Sequence, residues 1–183
     1  MIRSTSAILL IAALYVSSPG GQDPRIQDQT APPPLKIITR QERAQINESK
    51  DSKARVKTTL ELAETHLANA ENQTSQHEYD KAAAEAGMYW ALIEDAFSFL
   101  KTIERDDNKR RDLYKRMELA LRAQGPRLNT IRRNTPAEYS VWIKEIEDFA
   151  RKGRTEALNS FYGNTVIRDR QPADPKPDRK PPQ

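Results

Sequence analysis

The chain of 183 residues contains no cysteine. Without a thiol it can form neither a disulfide nor a thiolate metal site, and it cannot carry a cysteine-linked lipid. Only two histidines occur, His66 and His77, and neither lies in a zinc-protease or di-iron helical motif. Phosphate-binding glycine loops and serine-nucleophile elbows are also absent from the sequence. We therefore predict a non-catalytic protein that holds no metal or cofactor.

Glycine and proline are scarce in the central part of the chain. Four of the six glycines and only two of the twelve prolines lie between residues 35 and 163. This stretch is rich in residues that favour helix over sheet. Proline withholds a backbone donor, so the proline-rich ends are predicted to be extended and solvated. We expect a proline-rich linker at residues 21–38, a helical domain at 39–163 and a disordered, charged tail at 164–183.

Residues 1–20 have the pattern of a secretory signal peptide. Arg3 supplies the positive start, Ala7 to Val16 form an uncharged apolar run, and Ser18 and Gly20 supply small residues for cleavage. The run is too short to span a bilayer core of about 30 Å, so we expect a removable signal and no membrane span in the mature protein. Together with the lack of cysteine, this pattern predicts a periplasmic or secreted protein of bacterial origin.

Three capping boxes predict helix starts near residues 40, 76 and 136. The boxes are Thr39 with Glu42, Ser75 with Glu78, and Thr135 with Glu138. The first helix is expected to continue to about residue 72. Its first half contains a single large apolar residue, Ile46, between Arg40 and Arg55. We therefore expect that half to project, fray or await a partner.

The second predicted helix has the most regular apolar pattern in the chain. Its apolar residues follow a coiled-coil-like repeat of about 3.5 residues. They are Tyr79, Ala82, Ala86, Tyr89, Ile93, Ala96, Leu100 and Ile103. A third helix is predicted over about 109–124, and Gly125 and Pro126, which follow it directly, should kink or stop it. A break at residues 105–108 is expected before it, with one unbroken helix as the alternative. The predicted fold is all-α, an antiparallel bundle of three to four long helices, and Gly163 is expected to cap the last of them.

One short segment bears a family resemblance. Glu78-Tyr79-Asp80-Lys81-Ala82, after a predicted helical-hairpin turn, resembles part of a tetratricopeptide repeat. Those repeats recur about every 34 residues, and no second copy is found in the sequence. The resemblance implies helical-hairpin packing of that type as an alternative architecture, and no functional residue is carried over.

The charge is unevenly distributed, although the whole chain carries only +4. Residues 75–104 contain six acidic and two basic residues, whereas residues 105–133 contain four acidic and ten basic residues. The candidate anion-binding residues are Arg111, Lys115, Arg122, Arg132 and Arg133. Such a cluster can attract anionic envelope polymers, lipid headgroups or nucleic acid. The competing interpretation is an ordinary solvated helix face, and the export signal argues against nucleic acid.

Small residues on the second helix, Ala83 and Gly87, predict a close helix–helix contact, because glycine is otherwise costly inside a helix. Aromatic residues at helical spacing are expected to lie in the core. They are Tyr89, Trp90, Phe97, Tyr139, Trp142 and Phe149. The predicted function is protein–protein interaction or envelope scaffolding, through a protein partner or self-association. The alternatives are an anionic-polymer binder and an enzyme or small-ligand binder without a recognisable motif.

Overall fold

A computed structural model describes residues 30–104 and 108–162, and these residues form α-helices and no strand. The helices are α1 (Arg40–Asn47), α2 (Ser52–Ser75), α3 (Tyr79–Thr102), α4 (Asn108–Arg133) and α5 (Ala137–Tyr162). The predicted all-α fold is confirmed. The five described helices exceed the expected three to four, because the first predicted helix is interrupted at residues 48–51. The predicted signal, the start of the linker, the Gly163 cap and the tail lie outside the described residues.

The first helix begins at the predicted capping box. The Thr39 hydroxyl accepts from the Glu42 N–H at 3.2 Å, and the Glu42 carboxylate accepts from the Thr39 N–H at 2.8 Å. An unpredicted cap starts α2, where the Asp51 carboxylate accepts from the Ala54 N–H at 2.7 Å. Each cap satisfies a donor that the first helical turn leaves without a partner. These two caps set the bounds of the interruption between α1 and α2.

Two of the three predicted capping boxes are wrong. Ser75 does not cap α3; it is the last residue of α2, and its hydroxyl donates to the Asn72 carbonyl at 2.7 Å. Thr135 likewise donates to the preceding helix, to the Ile131 carbonyl at 2.6 Å. Pro126 does not stop α4, which continues to Arg133. Ser75 and Thr135 therefore donate to carbonyls at the C-terminal ends of α2 and α4 and do not cap the N-termini of α3 and α5.

Consecutive long helices form two antiparallel hairpins. In the first hairpin, His66 of α2 lies against Glu85 of α3, and Arg55 lies against Asp95, so residue numbers rise on one helix as they fall on the other. Contacts between α4 and α5 follow the same pattern, from Arg132 with Glu147 to Glu118 with Arg154. The turns, at residues 76–78 and 134–136, leave room for no other arrangement.

The two hairpins pack side by side, with α2 parallel to α4 and α3 parallel to α5. Along α3 and α5, Asp80 meets Tyr139, Trp90 meets Phe149 and Lys101 meets Glu156. Along α2 and α4, Glu64 meets Gln124 and Glu71 meets Arg127. Residue numbers rise together in both sets. The hairpins therefore join through α2 with α4 and through α3 with α5.

The core lies between these four helices and includes α1. Its largest fully buried side chains are Ile46, Leu67, Tyr89, Leu92, Ile93, Leu100, Tyr114, Met117, Leu121, Leu128, Ile131 and Ile143. Ile46 has no exposed surface, so the expectation that the first half of the first predicted helix projects or frays is wrong. Among the described residues, no helix combines the length and apolar character that crossing a bilayer requires.

Candidate functional site

Residues 30–39, which we call the strap, precede α1 and lie across α3 and α5 without forming helix or strand. Ala31 is buried against α5 by hydrogen bonds in both directions. Its N–H donates to the Glu138 carbonyl at 3.0 Å, and its carbonyl accepts from the Trp142 indole Nε1 at 2.6 Å. Part of the predicted linker is therefore seated on the helical domain instead of being a solvated spacer.

Gly87 is the point of closest approach between the strap and α3. A Cβ atom added at Gly87 would lie 2.5 Å from the Leu35 carbonyl oxygen and 3.0 Å from the Pro34 Cβ. No side chain can be placed there unless the strap moves, which explains a glycine in the middle of a helix. The predicted close approach at Gly87 exists, but its partner is the strap backbone and not a second helix. Ala83, the other predicted contact, is buried one turn earlier on α3.

Lys36 holds the next part of the strap on α3. Its Nζ lies 3.7 Å from the centre of the Trp90 ring and 3.3 Å from the Glu94 carboxylate. The cation is attracted both by the aromatic face and by the carboxylate. Because both charged side chains are more than a third exposed, solvent screens the ion pair and its contribution to stability is small. The surface between α3 and α5 that holds the strap is hereafter the α3/α5 groove.

The strap turns only part of its apolar surface inward. Leu35 is 69% exposed and Ile37 is 44% exposed, whereas Ala31 is buried and Ile38 packs against the core. Burial of apolar surface provides most of the free energy that holds a segment on a protein. The strap is consequently held by few contacts, and two of its largest apolar side chains face away from the domain.

Helix α1 is held by a charged cluster directly after the strap. His66 of α2 lies between two carboxylates, with Nε2 2.5 Å from Glu42 of α1 and Nδ1 2.6 Å from Glu85 of α3. Burial disfavours the charged form of His66, but the hydrogen bonds to Glu85 and Glu42 outweigh it and raise the His66 pKa. Burial also opposes ionisation of Glu42, yet the bonds from His66 and Thr39 hold its pKa below the usual value. His66 therefore joins α1, α2 and α3 through its contacts with Glu42 and Glu85.

The predicted anion-binding residues lie on α4, and four of the five contact other groups of the domain. Arg122 donates to Glu118 and Arg132 to Glu147, each through Nε at about 3 Å. Arg111 donates to the Phe161 carbonyl at 3.4 Å, and the Lys115 Nζ lies 5.4 Å from the Phe161 ring. Arg133 is exposed in the last turn of α4. The five residues do not converge on one site.

Glu118 is the carboxylate that links α4 to α5. Its side chain is only 5% exposed, and it accepts from Arg122 at 2.8 Å and from Arg154 at 3.1 Å. Burial opposes its ionisation, but these two guanidinium groups keep the Glu118 pKa below the usual value. The basic surface of α4 is thus partly neutralised by a buried acid that the sequence does not reveal.

A cavity of about 610 Å³ opens between the first turns of α2 and α4. Its lining combines cations such as Lys53 and Arg116 with Asp51 and Asp112, beside the half-exposed Leu119. Among the described residues, no group of three or more histidine, aspartate or glutamate side chains could hold a metal ion. We therefore place the candidate functional site at the α3/α5 groove, where a bound segment is present.

Sequence reasoning missed Ala31, Lys36 and the indole donor of Trp142 as parts of a site. Both tryptophans are expected in the core, but each is only partly buried: Trp90 packs against the core and contacts Lys36, and Trp142 donates to Ala31. The available signal was Gly87, whose cost within a helix indicates a close neighbour without identifying it.

No family model matches this chain, and no curated protein or solved structure shows significant similarity to it. Support for a function therefore comes from the contacts of the described residues.

Proposed function

We propose that this chain is an exported, non-catalytic interaction module whose α3/α5 groove binds extended peptide segments. The observation that carries the proposal is the strap itself. A non-helical segment lies in the groove, with an indole donor on its Ala31 carbonyl and a helical glycine beneath its Leu35 carbonyl. Every residue has a backbone carbonyl, so a groove that contacts carbonyls can bind segments of many sequences. The same surface is therefore suited to segments from other chains.

The groove chemistry favours a proline-rich ligand that carries a lysine. Proline keeps its carbonyl as an acceptor for the Trp142 indole, and a single non-proline residue at the position of Ala31 supplies the N–H that donates to Glu138. A proline-rich segment is already extended before it binds, so it loses little conformational entropy. The Trp90 face and the Glu94 carboxylate then attract a lysine, as they attract Lys36.

As the architecture behind this function, we propose one bundle in which two antiparallel hairpins stand side by side. This arrangement combines the predicted bundle with the hairpin packing that the tetratricopeptide resemblance implied. The parallel pairing of α3 with α5 places Trp90 beside Phe149, with a ring separation of 5.7 Å, and Asp80 beside Tyr139. It thereby forms the groove from two helices that are far apart in sequence.

We also propose that residues 1–20 direct export to the periplasm or the medium and that the mature protein begins after Gly20. Cell fractionation and N-terminal sequencing test this part directly. An intact N-terminus in the cytoplasmic fraction would contradict it.

Binding of anionic polymers through α4 has weaker support. Arg122 and Arg132 are already paired with Glu118 and Glu147, so a polyanion would have to compete with these carboxylates. We accordingly propose that the predicted cationic residues mainly join α4 to its neighbours.

The test uses a fluorescein-labelled peptide with the sequence of residues 30–39 and the mature chain from residue 21 onward. In the wild-type chain the tethered strap has an effective concentration of about 1 mM at the groove, so it competes with the labelled peptide for binding. Ala31→Glu should release the strap, because it places a carboxylate at a buried site beside the Glu138 carbonyl. Fluorescence anisotropy should then show the labelled peptide binding at least about tenfold more tightly to Ala31→Glu than to wild type.

Two controls make the result specific. Adding Gly87→Leu to Ala31→Glu fills the point of closest approach and should abolish binding. A peptide in which Lys36 is replaced by Glu should bind more weakly, since Glu94 would repel it. If the released strap is confirmed by protease sensitivity and the wild-type peptide still does not bind, the proposed function is wrong.

A further inference from the structure

We infer that the strap and α1 form an exchangeable arm, residues 30–47, which can leave its own domain and seat on a second copy of this chain. The inference rests on the proposed function, because it requires the groove to accept a strap from another molecule. The occupant is therefore a second copy, and the hinge is the interruption at residues 48–51.

The arm makes all of its described contacts with elements that a second copy also offers. The strap contacts α3 and α5, Glu42 contacts His66 of α2, and Arg43 donates to Asp95 of α3 at 2.6 Å. Exchange would replace each contact by an identical one between molecules. Swapping an identical element is a low-cost route to a symmetric dimer for this reason.

The hinge can become helical without a change of sequence. Residues 40–75 contain neither glycine nor proline, and the C-cap Glu48 already has right-handed helical angles, with φ −72° and ψ −7°. Asp51 departs furthest from helix, with φ −150° and ψ 172°. Straightening residues 49–51 would join α1 to α2 in one helix about 54 Å long.

A continuous helix would carry the arm beyond the end of its own domain. The strap then could no longer reach the α3/α5 groove of the same molecule. The N-cap of α2 opposes this change, because the Asp51 carboxylate accepts from the Ala54 N–H only while the helix is interrupted. Leu35 and Ile37 are exposed before the arm leaves, whereas Ile38 and Ile46 would leave the core and must be buried again in the second copy.

The hinge offers two opposite changes and a matched control for a test by size-exclusion chromatography with light scattering. Asp51→Ala removes the cap and should favour the continuous helix, raising the dimer association constant by about tenfold. Asp51→Asn keeps a capping oxygen and should behave like wild type. Lys50→Pro disfavours helix at Ser49 and should lower dimerisation by at least about tenfold. Each mature chain is refolded from urea at about 1 µM and about 500 µM, because exchange depends on concentration.

A dimer that increases with Asp51→Ala and decreases with Lys50→Pro supports arm exchange, provided that circular dichroism shows equal helix content in the monomers. A chain that stays monomeric at the higher concentration even with Asp51→Ala overturns it. A dimer that both hinge changes leave unaltered also overturns it, since the two copies would then meet through another surface. Neither contrary result affects the peptide-binding test of the proposed function, which uses a single domain and a separate peptide.

Discussion

Replacing Gly87 with alanine tests the contact on which the groove depends. The new Cβ would lie 2.5 Å from the Leu35 carbonyl oxygen, closer than ordinary van der Waals contact allows. Helix α3 is fixed in the core on its other face, with Tyr89 and Leu92 fully buried. The strap, which makes fewer contacts, should therefore move away from the groove.

Two opposing contributions decide the effect on overall stability. Alanine favours the helix by about 1 kcal/mol relative to glycine. Release of the strap removes the two hydrogen bonds of Ala31, each worth about 1 kcal/mol, and the contact of Lys36 with Trp90, worth about 0.5 to 1 kcal/mol at an exposed site. We expect the free energy of unfolding to fall by about 1 to 2 kcal/mol.

Release of the strap should be visible without any label. Trp90 and Trp142 are the two tryptophans of the chain, and both contact the strap. In Gly87→Ala their emission should shift to longer wavelength, and trypsin should cleave faster after Lys36. The matched control is Gly125→Ala, since a Cβ at Gly125 meets nothing within 4 Å, and its emission should match wild type. If Gly87→Ala instead gains about 1 kcal/mol with unchanged emission and cleavage, the strap does not lie on Gly87 and the reasoning is refuted.

Three further predictions concern the contacts around the groove. The stability that protonated His66 contributes is fully present below pH 6.5 and is lost as pH rises through the raised pKa of His66. The stability that ionised Glu42 contributes is fully present above pH 4.5 and is lost as pH falls through the lowered pKa of Glu42. Hydrogen exchange should thus show α1 best protected between pH 4.5 and pH 6.5, and His66→Gln should remove the decline on the alkaline side. Glu118→Gln should lower the free energy of unfolding in urea by about 1 to 2 kcal/mol, because two guanidinium groups lose their anionic partner; no change would show that solvent already screens them. Gly153→Ala should destabilise by about 1 kcal/mol net, since its Cβ would lie 2.7 Å from the Phe97 ring, and an increase in urea midpoint would contradict that crowding.

The long helices could be predicted because their signals are local. The regular apolar spacing from Tyr79 to Leu100 places one face of α3 in the core, and those residues are indeed buried, apart from partial exposure of Tyr79. A periodic pattern depends only on neighbours three and four residues apart. The start of α1 at Thr39 was also predictable, since a capping box is contained within four residues.

The interruption between α1 and α2 could not be predicted in this way. Residues 48–51 contain no helix-breaking glycine or proline, although Ser49 and Asp51 have lower helix propensity than most of the surrounding residues. The break allows Ile46 to enter the core and Glu42 to reach His66, which lies 24 positions further along the chain. The Asp51 cap is a local signal for the break, whereas the contacts of Ile46 and Glu42 join distant residues that a local pattern does not reveal.

Composition alone does not predict that part of the linker is seated on the domain. Proline lacks a backbone donor, and a segment without donors cannot join a regular hydrogen-bonded structure. The strap is held by both backbone groups of Ala31, whose N–H donates to Glu138 and whose carbonyl accepts from Trp142, and by Lys36, which contacts Trp90 and Glu94. Proline leaves every carbonyl available and fixes the chain in an extended shape, so it favours binding wherever the receiving surface supplies the donors. Whether a proline-rich segment is a spacer or a ligand is consequently decided by the domain beside it, here by Gly87 and Trp142.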